Sequence, residues 1–310
     1  MHGAGRAGRR RPTHSLMVLL LPLVFAGTAA RAAPGPQRGP GAPTPVVGLA
    51  SGRQLQLFPA GQLYPAYIAD PHQTGLAIEW QHYTQTDIPA TGSSRIGARI
   101  GGRLGLVRVS PAGVEDVGWQ LSLDVGIDAQ FDNKYDQDNI GWDGNYGLLW
   151  TGRWHSPWSF RLGLLHTSSH LGDEYLERTG VQRIGYTREE IVAGTRWAPA
   201  PRWSLYAEAG WAARVGNANL QERWRTEAGV EFEHPGAFWQ GRLGWYAATD
   251  LSAMQERNWR LDRSVQVGVV VHSAGRPWRV GISYYDGRPT LGEFFQATER
   301  SLTLGGWTEF

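Results

Sequence analysis

Val117-Gly118-Trp119-Gln120-Leu121-Ser122-Leu123-Asp124-Val125-Gly126-Ile127-Asp128-Ala129-Gln130-Phe131-Asp132 alternates apolar and polar or small residues at every step. That is the period of a strand with one apolar and one polar face. Upstream, Ile96, Ala98, Ile100, Leu104 and Leu106 alternate with Arg95, Gly97, Arg99, Gly101, Arg103 and Gly105. Strands of a soluble sandwich run about five or six residues, whereas these alternations run for ten to fifteen. Such length suits a transmembrane barrel, whose apolar face meets lipid and whose polar face lines the interior.

The same period continues to the end of the chain. It predicts twelve strands, at roughly 75–85, 94–108, 117–131, 140–154, 158–169, 183–197, 203–215, 222–233, 238–249, 259–272, 278–286 and 299–310. Short turns (111–116, 155–157, 198–202, 234–237 and 274–277) alternate with longer loops (86–93, 132–139, 170–182, 216–221, 250–258 and 287–298). Bacterial outer-membrane barrels have an even strand count, short periplasmic turns and longer external loops. Tryptophans such as Trp142, Trp158, Trp197, Trp203 and Trp278 fall near strand ends, as an aromatic girdle requires. The last strand keeps Leu302, Leu304 and Gly306 in phase and ends on Phe310. It resembles the signal that the barrel-assembly machinery reads on outer-membrane proteins.

What precedes the barrel reads as an address. Residues 1–15 are basic, Leu16 to Gly27 is an apolar run of twelve, and Ala30-Arg31-Ala32 is a small-x-small cleavage site. That is a secretory signal peptide over residues 1–32; a spanning helix needs about 20 apolar residues. Residues 33–74 are expected as a periplasmic linker and N-terminal segment, and 75–310 as the barrel. The 310 residues include no cysteine, which excludes a disulfide scaffold or a thiolate metal site. The formal charge of +2 comes from the leader: Arg6, Arg9, Arg10, Arg11 and Arg31 meet no acid there, and the remaining 25 basic residues face 28 acidic ones. The composition therefore makes no case for nucleic acid as a partner.

The turn near residue 113.5 places opposite one another residues whose numbers sum to about 227. Arg95 then faces Asp132, Arg99 faces Asp128 and Arg103 faces Asp124. Opposite charges across a strand pair attract, so one reading of the lumen is a ladder of ion pairs in a filled interior. The other is a cationic track lining an anion-selective porin. Glu208, Glu227, Glu231 and Arg242 are further expected inward residues.

One constellation could carry chemistry. His166-Thr167-Ser168-Ser169-His170-Leu171-Gly172-Asp173-Glu174-Tyr175 closes the fifth strand, and His166, Ser168 and His170 share the parity of Trp158, Phe160, Leu162 and Leu164. They are expected on the outer wall. An imidazole beside a hydroxyl, with a third group orienting the base, is what an activated serine needs. Glu189 has outward parity on the next strand; Asp173 and Glu174 compete with it. The arrangement resembles that of outer-membrane phospholipase A and lipid A 3-O-deacylase, barrels whose His-x-Ser motif works on the outer wall against lipid. It departs from them where Ser169 follows the serine in place of Asn.

A wider resemblance covers most of the mature chain. Leu57-Phe58-Pro59, Tyr67-Ile68-Ala69-Asp70-Pro71, Ala129-Gln130-Phe131-Asp132, the His166 to Tyr175 segment and Tyr186 to Glu189 resemble the bacterial family called domain of unknown function 1207. That resemblance implies a secreted outer-membrane protein and supplies no activity. The expectation is thus an all-β, antiparallel transmembrane β-barrel in the bacterial outer membrane, with membrane lipid or lipopolysaccharide as its partner. Two functions stay open: a serine-type lipid acyl hydrolase, or a structural or binding barrel without catalysis. His170, Asp173 and Glu174 could with His166 ligate zinc or calcium, since imidazole and carboxylate suit both.

Overall fold

The computed structural model describes residues 45–155, 157–273 and 276–309. The expected signal peptide and the terminal Phe310 lie outside the described residues. The strands are β1 (Val46–Leu49), β2 (Arg53–Leu57), β3 (Leu76–Thr86), β4 (Ser94–Pro111), β5 (Gly118–Asp132), β6 (Asp138–Arg153) and β7 (Trp158–Leu171). After a short helix α1 (Asp173–Thr179) come β8 (Thr187–Ala200), β9 (Trp203–Val215), β10 (Trp224–Phe238), β11 (Leu243–Met254), β12 (Leu261–Ser273), β13 (Arg276–Gly287) and β14 (Glu299–Thr308). Strands β3 to β14 pair antiparallel in chain order, and β14 returns to β3, closing a twelve-stranded transmembrane barrel. The hairpin β1–β2 extends the sheet beside the short-turn end of β4.

Alternation decides what each face meets. On β4 Ile100 is 71% exposed on the outer wall while Arg95 is fully buried inside. Val125, Ile127, Leu162, Leu164, Val267, Ile282, Leu302 and Leu304 continue the outward apolar band. Trp154, Trp158, Trp197, Trp203 and Trp278 stand exposed towards the short-turn end, where Trp158 stacks on Trp197.

The lumen is packed with polar side chains and with part of the chain itself. After β2, residues 58–75 leave the sheet at a bulge of β4, where Phe58 N–H donates to the Leu106 carbonyl (3.0 Å), and pass along the lumen. Pro59, Pro65 and Pro71 have no N–H, so this segment cannot build a ladder of its own. Wall arginines satisfy its carbonyls instead: Arg103 donates to Tyr64 O (3.2 Å), Arg196 to Ala66 O (2.9 Å) and Arg99 to Pro71 O (2.6 Å). Tyr67 stacks on Tyr206 of β9 at 3.7 Å between ring centres. The wall makes room where Gly101 and Gly126 face each other, because a Cβ on either would come within 2.9 Å of Thr74. Of the segment 33–74, residues 33–44 lie outside the described residues, 46–57 form the hairpin that extends the sheet, and 58–74 pass along the lumen.

The long-loop end is capped. Ile88, Ile140, Leu171, Leu291 and Phe294 pack with Tyr175 of α1 in an apolar cluster. The Glu293 carboxylate accepts the backbone N–H groups of Ile184 (2.7 Å), Gly185 (2.8 Å) and Tyr186 (3.0 Å), tying the loop after β13 to the one before β8. In the same cap, burial above all pushes the Glu256 carboxyl above its usual range, against the pull of Arg188 and Arg288.

Several strand ends shift by a few residues from expectation, and two of these shifts move candidate residues. The turn placed at 234–237 falls at 239–242, because Pro235-Gly236 break the ladder without ending β10; pairing resumes at Phe238↔Leu243. Arg242 consequently sits exposed in that turn and not in the lumen. Strand β7 runs to Leu171, so His170 belongs to the strand and not to a loop.

Candidate functional site

The lumen charges set the background for the outer wall. The register of β4 and β5 pairs Arg95 with Asp132, Arg99 with Asp128 and Arg103 with Asp124. Arg103 and Asp124 meet at 2.9 Å, Arg99 and Asp128 at 3.4 Å. Arg95 corrects the expectation: its guanidinium turns to Glu299 at 2.9 Å, beneath the Tyr83 ring. Asp132 instead accepts Gly92 N–H (2.8 Å) and Lys134 N–H (3.0 Å). At a strand end, backbone donors without ladder partners compete for a carboxylate. Deeper in, Arg225 reaches Glu190 (2.6 Å), Glu208 (2.7 Å) and Glu227 (2.9 Å) together, Arg161 pairs with Glu208 and Arg196 with Glu231. A cavity of about 140 Å³ remains, lined among others by Asp70, His72, Arg103, Glu227 and Arg288.

The outer wall near the long-loop end is built differently. His166, Ser168 and His170 follow Leu162 and Leu164 on the outward face of β7, while Ser169 turns inward and is buried. The register lines up Tyr146 of β6, His166 of β7 and Glu189 of β8 in one transverse row. His166 Nδ1 and Glu189 Oε1 lie 2.8 Å apart, with the imidazole 16% and the carboxylate 46% exposed. The Tyr146 ring stacks on the imidazole at 4.4 Å. With Nδ1 taken by the carboxylate and one ring face by Tyr146, Nε2 is the nitrogen left for a hydroxyl.

Ser168 stands opposite Gly144 in the register. A Cβ on Gly144 would approach the Ser168 hydroxyl to 3.5 Å and the Trp142 ring to 3.3 Å, so the glycine leaves the wall open in front of Ser168. Among the described residues the hydroxyl has no hydrogen-bond partner; contacts to a catalytic base are often long before substrate binds. Tyr146 and Gly144 escaped the sequence reading, although they share the outward parity of Leu148 and Trp150 on β6.

The candidate metal ligands do not gather. His170 stacks on Trp142 at 4.1 Å, and its Nδ1 lies 3.0 Å from an Arg183 nitrogen, so a guanidinium holds the position a cation would need. Asp173 and Glu174 sit in the first turn of α1, where carboxylates complement the helix N-terminus. Among the described residues the ligand atoms that do converge, within 4.8 Å, belong to Asp70, Glu227 and Asp250 in the lumen.

The family profile described as Protein of unknown function (DUF1207) matches residues 46–307. No curated protein matches the sequence. Among solved structures, outer membrane phospholipase A from Escherichia coli is similar at 8% identity and a TM-score of 0.48, covering 76% of this chain and 93% of that one. The NanC porin is similar at 12% identity and a TM-score of 0.41, covering 76% and 100%. LpxR from Salmonella typhimurium is similar at 12% identity and a TM-score of 0.38, again covering 76% and 100%.

Proposed function

The chain belongs to the DUF1207 family, and we propose that it is a bacterial outer-membrane barrel that hydrolyses acyl esters of membrane lipid at the outer leaflet. The observation that carries this reading is the 2.8 Å His166–Glu189 contact on the lipid-facing wall, with Ser168 two residues along the same face. A carboxylate and an imidazole facing lipid need a reason, because charge on that wall destabilises a barrel unless it lies near the interface.

The chemistry follows from the geometry. Ser168 Oγ attacks the ester carbonyl while His166 Nε2 takes its proton. Glu189 keeps the imidazole in the required tautomer and stabilises the imidazolium that forms. The proton then passes to the departing alcohol, and water repeats the sequence on the acyl-enzyme. The wall needs no pocket for the acyl chain, since the bilayer delivers it. For His170 the rim-anchoring reading is favoured, because Trp142 and Arg183 engage it. The filled lumen supports a barrel that does not conduct, against the porin reading.

The test is to incubate refolded protein with phospholipid and with lipid A, with and without calcium, and to follow released fatty acid. Release that Glu189→Gln lowers by at least roughly a hundredfold, because the imidazole loses the group that sets its tautomer, is the expected result. No release from either lipid overturns the reading.

A further inference from the structure

On β9 the lumen-facing residues are Tyr206, Glu208, Gly210 and Ala212, so plain alternation sends Arg214 inward as well. The register breaks that pattern: Glu190 pairs with Ala212 and Glu189 with Arg214, leaving Ala213 as the extra residue of a bulge. A bulge re-aims the side chains that follow it. Arg214 is thereby placed opposite Glu189, exposed, in the row Tyr146, His166, Glu189. Among the described residues it has no hydrogen bond or ion pair, whereas the lumen arginines of β4, β7, β8 and β10 all have partners.

A second guanidinium is anchored at the same bulge. Arg223, exposed, donates to the carbonyls of Ala212 (2.9 Å) and Ala213 (2.8 Å) and lies over the Trp211 ring at 5.6 Å. Trp211 and Trp224 pair in the neighbouring row, so the two arginines stand at the level of the aromatic belt, where phosphate groups of a bilayer lie. Adjacent strands are about 4.8 Å apart, which puts Arg214 two strands from His166, within reach of one headgroup.

We propose that Arg214 and Arg223 form a subsite for the phosphate of an anionic membrane lipid whose acyl ester is presented to Ser168. The assignment rests on the hydrolase reading and deepens it, making the substrate class a phosphate-bearing lipid. Planar guanidinium pairs suit phosphate oxygens better than a lone ammonium would. Glu189 between the imidazole and Arg214 keeps the local charge balanced until the phosphate arrives.

The experiment compares phosphatidylglycerol with diacylglycerol as substrates of the refolded full chain in mixed micelles. Arg214→Ala and Arg223→Ala should each lower the preference for phosphatidylglycerol, as a ratio of kcat/KM values, by roughly tenfold, the size of one charge-assisted hydrogen bond, and mostly through KM. Arg214→Lys should recover part of it. An unchanged ratio overturns the subsite. If the wild type hydrolyses neither lipid, the lipid A assay above decides the hydrolase reading and lipid retention decides the subsite alone. Native mass spectrometry of Ser168→Ala should then show retained phosphatidylglycerol over diacylglycerol, lost on adding Arg214→Ala. Equal retention with and without Arg214 overturns the proposal, and so does inorganic phosphate binding as tightly as the lipid, which would mark a site for the free anion.

Discussion

Ser168 and Ser169 are neighbours in the chain and belong to opposite worlds. Ser169 donates to Asp143 and accepts the Glu293 N–H (2.9 Å), inside the barrel, where it ties a wall strand to the cap. Ser168 faces outward beside a histidine held by a carboxylate, where nothing needs a hydroxyl for closure. The ion pairs inside this barrel are explained by one another. The polar groups on its outer wall are explained only by what lies in the membrane.

The sharpest break of this contrast is Ser168→Ala. Fatty-acid release should fall by roughly 10⁴-fold or more, as for loss of a serine nucleophile, while the heat-modifiable gel mobility of the folded barrel stays unchanged. Unfolding of the variant would move Ser168 to the structural side. Next in size is the plug: the full chain in a planar bilayer should carry little steady current, and deletion of residues 58–74 should open conducting steps. Large anion-selective steps from the intact chain would restore the porin reading.

A lumen charge should show the reverse profile of Ser168. Glu208→Ala leaves Arg161 without its carboxylate and takes one of three from Arg225. Removing one partner of a buried pair costs about 3–5 kcal/mol, to be read as a lower urea midpoint in lipid vesicles. The smallest effect is expected at Ser169→Ala: about 1–2 kcal/mol from the unsatisfied Glu293 N–H, with fatty-acid release within roughly twofold, since a hydrogen bond remote from the reacting atoms acts only through loop position. Release falling as far as in Ser168→Ala would mean that the two serines had been assigned to the wrong faces.

Much of this contrast was legible because a strand has a side-chain period of two. Parity alone separated His166 and Ser168 from Ser169, and the turn between β4 and β5 set the register that pairs Arg99 with Asp128 and Arg103 with Asp124. Failures came wherever the period is interrupted. The break at Pro235-Gly236 moved a turn and exposed Arg242, and the end of β5 drew Asp132 away from Arg95. The segment 58–74 was unreadable for another reason: its prolines and tyrosines have no period, and its partners are arginines on β4 and β8.

The sequence by itself determined a long-stranded barrel with an apolar outer wall, twelve strands, two alternating kinds of connection and a His-x-Ser pair facing outward, all consequences of local alternation summed along the chain. Only the tertiary structure decided that residues 58–74 pass along the lumen, that Glu189 rather than Asp173 or Glu174 meets the imidazole, and that a bulge sets Arg214 opposite Glu189. Those outcomes depend on bulges and on contacts between residues far apart in sequence, where a shift of one residue reverses the face a side chain presents.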